Sequence, residues 1–304
     1  MAVYSLIIIF CVSFLILVSL YLLNSKEGVE NSLEQHPETV GKFYNETTDK
    51  FLEVYGEIIQ AFRTKDVDSY LNYTAKNMRL ANGMKLIDAG CGVAGPAMHF
   101  AELFKDIAID ACSISEVQIE KASQNILNKN LGAKINTTLC DYHYLDKNFN
   151  LNSYDRVYFL ESYGHSQDKK KLLDAAWEVL KPGGMVYIKD LFAREVEGEW
   201  EQHYIDKICE DINEAYKYHI GSLYETLSIL RKKGYLLHFV KIPEVNEDEF
   251  ENLSISNDFQ NLFNIGKIES WDNYVFPIDF FEILAEKPRF SSEIERHLYF
   301  MNKS

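Results

Sequence analysis

The chain has 304 residues, 47% of them hydrophobic and 25% charged, with 6 prolines, a composition that excludes disorder or low complexity and supplies a sizeable core. Its 31 Lys and Arg against 46 Asp and Glu give a net charge of −15, which repels phosphate backbones and argues against a nucleic-acid partner. The 5 cysteines, Cys11, Cys91, Cys112, Cys140 and Cys209, form no CxxC, so neither a disulfide framework nor a bound metal is expected.

From Val3 to Leu23 no residue is charged, and a helix of that length reaches about 30 Å, the hydrocarbon thickness of a bilayer. A cleaved signal peptide is the rival, but no Lys or Arg precedes the run and no A-x-A-like site follows it. The expected layout is a transmembrane anchor at 1–24, a polar tether at 25–37 and one enzyme domain at 38–304. Lys26 is the nearest flanking cation, which places that domain in the cytosol of a single-pass membrane protein.

Aromatic-rich helical segments are expected at 43–62 and 67–80. After Asn82-Gly83 short apolar runs alternate with amphipathic stretches. Strands are expected at 84–89, 107–112, 133–139, 155–160 and 184–192, with helices at 96–104, 115–129 and 169–180. That β-α-β alternation signals a doubly wound, mostly parallel α/β sheet. Beyond it come helices within 199–233, a strand at 235–242, a helical insert at 247–266 and a last strand at 276–287. The scheme divides 38–304 into a helical lid (38–82), a cofactor-binding core (83–192) and a helical insert with the last strands (193–304).

The first strand runs into Asp88-Ala89-Gly90-Cys91-Gly92-Val93-Ala94-Gly95 and then a helix. Small residues there let the backbone turn tightly and approach a ligand. The GxGxxG spacing also fits a dinucleotide fingerprint, with Asp110 twenty residues on as the ribose acid. Asp88 separates the two readings. A carboxylate two residues before the first glycine repels a pyrophosphate and suits a ligand bearing an ammonium and a sulfonium, S-adenosylmethionine. A turn-capping Asp88 is the plainer reading.

Three later pieces fall in matching order: Ser113–Gln118 after the second strand, Cys140-Asp141-Tyr142 after the third, and Leu180–Gly184 as a sharp turn. With DAGCGVAGP (88–96), SISEVQ (113–118), CDY (140–142), LESYGH (160–165) and EVLKPGG (178–184), the chain resembles the class I S-adenosylmethionine (SAM) dependent methyltransferases. Within them it is most similar to the sterol C-methyltransferase, cyclopropane-fatty-acid synthase and isoprenyl-diphosphate C-methyltransferase group. FYNETTDKFLEVYG (43–56) also resembles the aromatic N-terminal segment of the sterol group. The resemblance implies a seven-stranded sheet whose last strand is antiparallel. It implies that Asp88, Gly90, Cys91 and Gly92 hold the methionine end, Ser113 and Gln118 the ribose, and Asp141 and Tyr142 the adenine. Asp110 would then be an ordinary strand residue.

Methylating a carbon–carbon double bond leaves a carbocation, which favours aromatic faces and needs a base to remove a proton. Glu161 directly follows the fourth strand and should point into the cleft; the resemblance implies a base, or support for one, at this position. His165 and Tyr163 are further candidates. Tyr44, Phe51 and Tyr55 recur at helical spacing and are candidates for a substrate lid, or for simple helix packing. The runs Lys169–Lys171 and Arg231–Lys233 read as solvated helix faces rather than a diphosphate cradle. Mg²⁺ is therefore expected only with a diphosphate acceptor. The expected reaction is methyl transfer to carbon of an isoprenoid or sterol-like lipid. O- or N-methylation of a lipid head group or small metabolite, and a catalytically silent SAM-fold module, remain open.

Overall fold

The computed structural model describes residues 37–58, 66–243 and 277–289. Helix α1 (37–55) is followed by α2 (Val67–Asn77), which begins where the Asp66 side chain accepts from the Ser69 amide. The alternating core then runs β1 (Lys85–Ala89), α3 (Gly95–Leu103), β2 (Ala108–Ser113), α4 (Glu116–Asn128) and β3 (Ile135–Leu139). It continues through a short α5 (Leu145–Asn148), β4 (Tyr154–Leu160), α6 (Lys169–Val179) and β5 (Leu180–Ala193). Helices α7 (Glu199–Tyr216) and α8 (Leu223–Lys233) precede β6 (Leu236–Lys241) and β7 (Ile278–Glu286). Side-chain caps start the core helices: Ser115 on α4, Asp168 on α6 and Ser222 on α8. Gly234, left-handed, ends α8.

Among the described residues the strands form one sheet in the order β3-β2-β1-β4-β5-β7-β6. Only β7 runs against the others, pairing antiparallel with β5 and β6. Apolar residues leave both faces of the central strands β1, β4 and β5, so the core is double. Leu86 and Tyr158 pack with α2, α3 and α4 on one face, while Ile87 and Val157 pack with α6 and α8 on the other. Where β5 meets β7, Lys189 pairs with Glu282 at 3.1 Å, both side chains fully buried. The Tyr70 ring lies 3.9 Å from the ammonium, and the Asn77 amide donates to Glu282 at 2.8 Å.

The membrane expectation is corrected. Crossing a bilayer takes about 20 apolar residues in one helix. Among the described residues no helix is long and apolar enough to do so; the longer ones, α1 and α7, are studded with charges. The transmembrane helix, the membrane partner and the single-pass localisation with a cytosolic domain are therefore not retained. Residues 1–24, on which that expectation falls, lie outside the described residues. So does the helical insert expected at 247–266. Pro37, given to the tether, is the first described residue of α1.

Candidate active site

The sheet order reverses between β1 and β4, and in such sheets ligands settle beyond the carboxyl ends of the strands at that point. A cavity of about 1080 Å³, counted out to its open mouth, lies there, walled by the loops after β1, β2, β3 and β4 and roofed by α1. It brings together Asp88, Gly90, Cys91, Gly92, Ser113, Gln118, Asp141, Tyr142, Glu161 and His165 with Tyr44 and Phe51 of the expected lid. Tyr163 and Tyr55 are not among its lining residues.

Asp88 is buried, and its Oδ2 has no hydrogen-bond partner. Burial pushes its carboxyl up to about 7, against the opposing influence of the Tyr158 hydroxyl. An isolated buried carboxylate is costly, and a bound cation would relieve that cost. Gly90 has φ +86, and a Cβ there would lie 2.5 Å from that of Ser162, so the loop crosses the end of β4 only as glycine. The Gly90 and Cys91 amides both donate to the Cys112 carbonyl at 2.9 Å, curling the loop round the end of β2. At Gly92, φ +55, the space a side chain would occupy is open. Burial and the charge of Asp88 push the Cys91 thiol well up, so it stays protonated.

Ser113 donates to the Gln118 side chain at 2.7 Å, and Ser115 caps α4 by accepting from the Gln118 amide at 3.1 Å. Asp110 lies elsewhere. It pairs with Ile87 across the sheet, accepts from the Tyr154 hydroxyl at 2.6 Å, and is absent from the cavity lining. That removes the acid a dinucleotide site would need. Asp141 accepts at Oδ1 from the His143 amide at 2.9 Å and meets the His143 ring at 2.6 Å. Burial opposes its charge, but the His143 hydrogen bonds and proximity outweigh it and hold the carboxyl below its usual range. Tyr142 donates to the Ser162 carbonyl at 3.1 Å.

Glu161 is left-handed, φ +58, where a non-glycine side chain is strained. Its amide is tied to the Lys189 carbonyl at 2.8 Å, and its carbonyl accepts from the Tyr218 hydroxyl at 3.0 Å. His165 Nδ1 lies 2.9 Å from the Lys217 carbonyl, which can only accept, so Nδ1 carries the proton. In the neutral ring Nε2 then accepts from the Tyr44 hydroxyl at 2.8 Å, which joins α1 to the turn after β4. Tyr163 belongs to the core instead. The tight turn at 163–165 swings its ring between Phe159 and Phe192, and its hydroxyl meets Thr226. Tyr55 stacks on Phe51 at the end of α1.

Four residues that the sequence reading passed over complete the surroundings: Asn45, His143, Asp190 and Tyr218. Asn45 on α1 accepts from Ser115 at 2.7 Å. Asp190, fully buried in β5, accepts from the Gly164 amide at 3.0 Å. Burial pushes its carboxyl up to about 7; the Leu191 and Gly164 amides oppose this and the charge of Glu161 adds to it. Only His143 carries a local signal, two residues from Asp141; the others depend on contacts far apart in sequence.

A family model described as "Methyltransferase domain" matches residues 86–184. Sterol 24-C-methyltransferase of Debaryomyces hansenii is 26% identical over 266 residues, 80% of this chain and 68% of that protein. Several other curated relatives are spanned over only 29 to 56% of their length. Among solved structures, the cyclase SpnF has a TM-score of 0.63 at 17% identity, over 83% of this chain and 97% of that one. Geranyl diphosphate C-methyltransferase from Streptomyces coelicolor A3(2), crystallised with Mg²⁺, geranyl diphosphate and S-adenosyl-L-homocysteine, has a TM-score of 0.58 at 17% identity, over 73% and 79%. These structures share the fold, and a cyclase among them shows that the fold alone does not set the reaction. Sheet order, glycine loop and matched domain agree: the chain carries a methyltransferase domain over residues 86–184 and is similar to the class I SAM-dependent methyltransferases, the sterol C-methyltransferases among them.

Proposed function

We propose that this enzyme methylates a carbon of a neutral isoprenoid or sterol-like lipid, with Glu161 taking the proton that leaves. The observation that carries this is the charge of the cavity. Its described lining residues include Glu57, Asp88, Asp141 and Glu161 and neither Lys nor Arg. Glu57 is offset by Lys129 at 3.9 Å, and Asp88 and Asp141 belong to the cofactor end, so an anionic acceptor would face Glu161 with no Lys or Arg in the lining, whereas a double bond that turns cationic as it is methylated would be stabilised there. The rings of Tyr44, Phe51, Tyr142 and His165 add aromatic faces.

SAM bound here supplies an electrophilic methyl group on a sulfonium. Asp88 would take its ammonium, with Gly90, Cys91 and Gly92 lining the methionine end. Ser113 and Gln118 would take the ribose hydroxyls, Asp141 the adenine amino group, and Tyr142 would lie against the ring. The region 38–82 would act as a lid through α1, with Tyr44 and Phe51 excluding water from the acceptor. Glu161, strained into the cavity and tied at both backbone groups, would accept the proton from the methylated acceptor. Mg²⁺ enters this reading only with a diphosphate acceptor, like that of the Streptomyces neighbour.

The same carboxylates would also suit an amine, so transfer to nitrogen, or to oxygen of a lipid head group or small metabolite, is the second reading. Glu161→Gln separates them. Methylation of carbon should slow by about 10²–10⁴-fold with binding of S-adenosylhomocysteine unchanged; a near-normal rate would favour a heteroatom. Incubation with methyl-labelled SAM and a lipid extract, followed by mass spectrometry, identifies the acceptor. Label confined to amines or hydroxyls would defeat the carbon reading.

A further inference from the structure

Three side chains form an unbroken hydrogen-bonded row. His143 Nδ1 lies 2.6 Å from Asp141 Oδ1, and His143 Nε2 lies 2.6 Å from Ser166 Oγ. The order of groups is that of an acid, a base and a serine nucleophile. Ser166, however, is fully buried and absent from the cavity lining, so its hydroxyl meets no acyl donor. The row joins two regions instead. Asp141 and His143 line the cavity, while Ser166 closes the turn that carries His165. Ser166 is pinned in that turn: its amide donates to the Tyr163 carbonyl at 3.1 Å, and its own carbonyl accepts from Lys169 at 2.8 Å. A carboxylate only accepts, so His143 Nδ1–H donates to Asp141 and the neutral ring takes the Ser166 proton at Nε2.

We propose that His143 is a positioning and specificity-determining residue, which aims the Asp141 carboxylate at the exocyclic amino group of adenine and ties it through Ser166 to the turn bearing His165. The proposal rests on Asp141 being the adenine acceptor. A purine with a carbonyl in place of the 6-amino group would set acceptor against acceptor, and the site rejects it as long as Asp141 stays ionised and aimed.

Calorimetry with S-adenosylhomocysteine and its inosine counterpart tests this on the wild type and variants of Asp141, His143 and Ser166. The wild type should prefer the adenosine form by at least about tenfold. His143→Leu should lose most of that preference. His143→Asn, whose amide stands where Nδ1 stood, should keep it, and His143→Gln should not. Should His143→Leu fail to fold, the Asn and Gln pair still decides, since a merely structural role would not sort them by which ring nitrogen they replace. Equal preference in the wild type and both of those variants overturns the proposal. Asp141→Ala binding S-adenosylhomocysteine like the wild type would instead overturn the adenine-acceptor reading, so the two failures are distinct. Ser166→Ala should weaken binding about threefold, less than the loss of a full hydrogen bond to a charged group; no change would remove the link to the turn. Labelling of Ser166 by a fluorophosphonate probe would show an accessible nucleophile and also overturn the proposal.

Discussion

Asp88 keeps a carboxylate oxygen buried and without a partner in a cavity that carries no Lys or Arg among its described lining residues. Removing its charge should remove a charge-assisted bond to the cofactor amine. Asp88→Asn is expected to weaken S-adenosylhomocysteine by about 10- to 100-fold, measured by calorimetry, with the circular-dichroism spectrum unchanged; undiminished binding would place the amine elsewhere. Gly90 is a different kind of constraint. Gly90→Ala would drive a methyl into Ser162 at a backbone angle that disfavours side chains. A loss of about 2 kcal/mol or more is expected in denaturant melts.

At the scale of elements, α1 is attached to the turn after β4 by the bond from Tyr44 to His165 and to α4 by Asn45. Tyr44→Phe keeps the ring and cuts the first tie. It should raise the KM for the acceptor several-fold and speed proteolysis within α1, while SAM affinity changes little. A KM equal to wild type would show that α1 keeps its place without it. Across β5 and β7, Lys189→Met would leave the buried Glu282 with the Asn77 amide and the more distant Lys241 ammonium at 3.7 Å, and should cost about 3 kcal/mol in denaturant melts, part of it recovered by adding Glu282→Leu. The strand and helix series was legible because each element is declared by short-range pattern: apolar alternation, Ser115 and Asp168 as caps, Gly90 and Gly234 at left-handed positions. Tyr163 lies in the core and off the cavity lining, although a residue just past a strand end reads as a loop. The tight turn at 163–165 reverses its direction into the core. Tyr55 lies off the cavity lining for a simpler reason, since a helical stripe marks a face without saying how far along it a cavity extends.

For the whole molecule, burial of two acids adds a pH-dependent contribution to stability. Asp88 and Asp190 are both pushed up to about 7. Between about pH 4 and 7 the folded protein therefore holds protons that the unfolded chain has released, and these two groups make stability fall as pH rises through that window. His99, pushed down mainly by burial, acts the opposite way below about pH 6.5, and Asp141 and Asp174, held below the usual carboxylate range by their partners, do so in acid, so the clean measurement is a difference. Asp88→Asn should raise the Tm relative to wild type at pH 8 and leave it unchanged at pH 4. A Tm gain of equal size at both would mean that Asp88 is ionised throughout. Cofactor affinity should run the other way, rising from pH 6 to 8 as Asp88 ionises.

Sequence alone determined the sheet-and-helix order, the glycine loop and its acidic neighbour, and so the class of cofactor. Those features are written in residues that touch within a few positions of one another, where backbone sterics and capping act without help. Only the folded chain decided that Asp110 turns away from the cavity, that Tyr163 is core, and that Tyr44 meets His165 across 121 positions. It also decided that His143 links Asp141 to Ser166. Such contacts follow from how seven strands stack and where the turns between them point, a sum of weak long-range packing terms that no local pattern encodes.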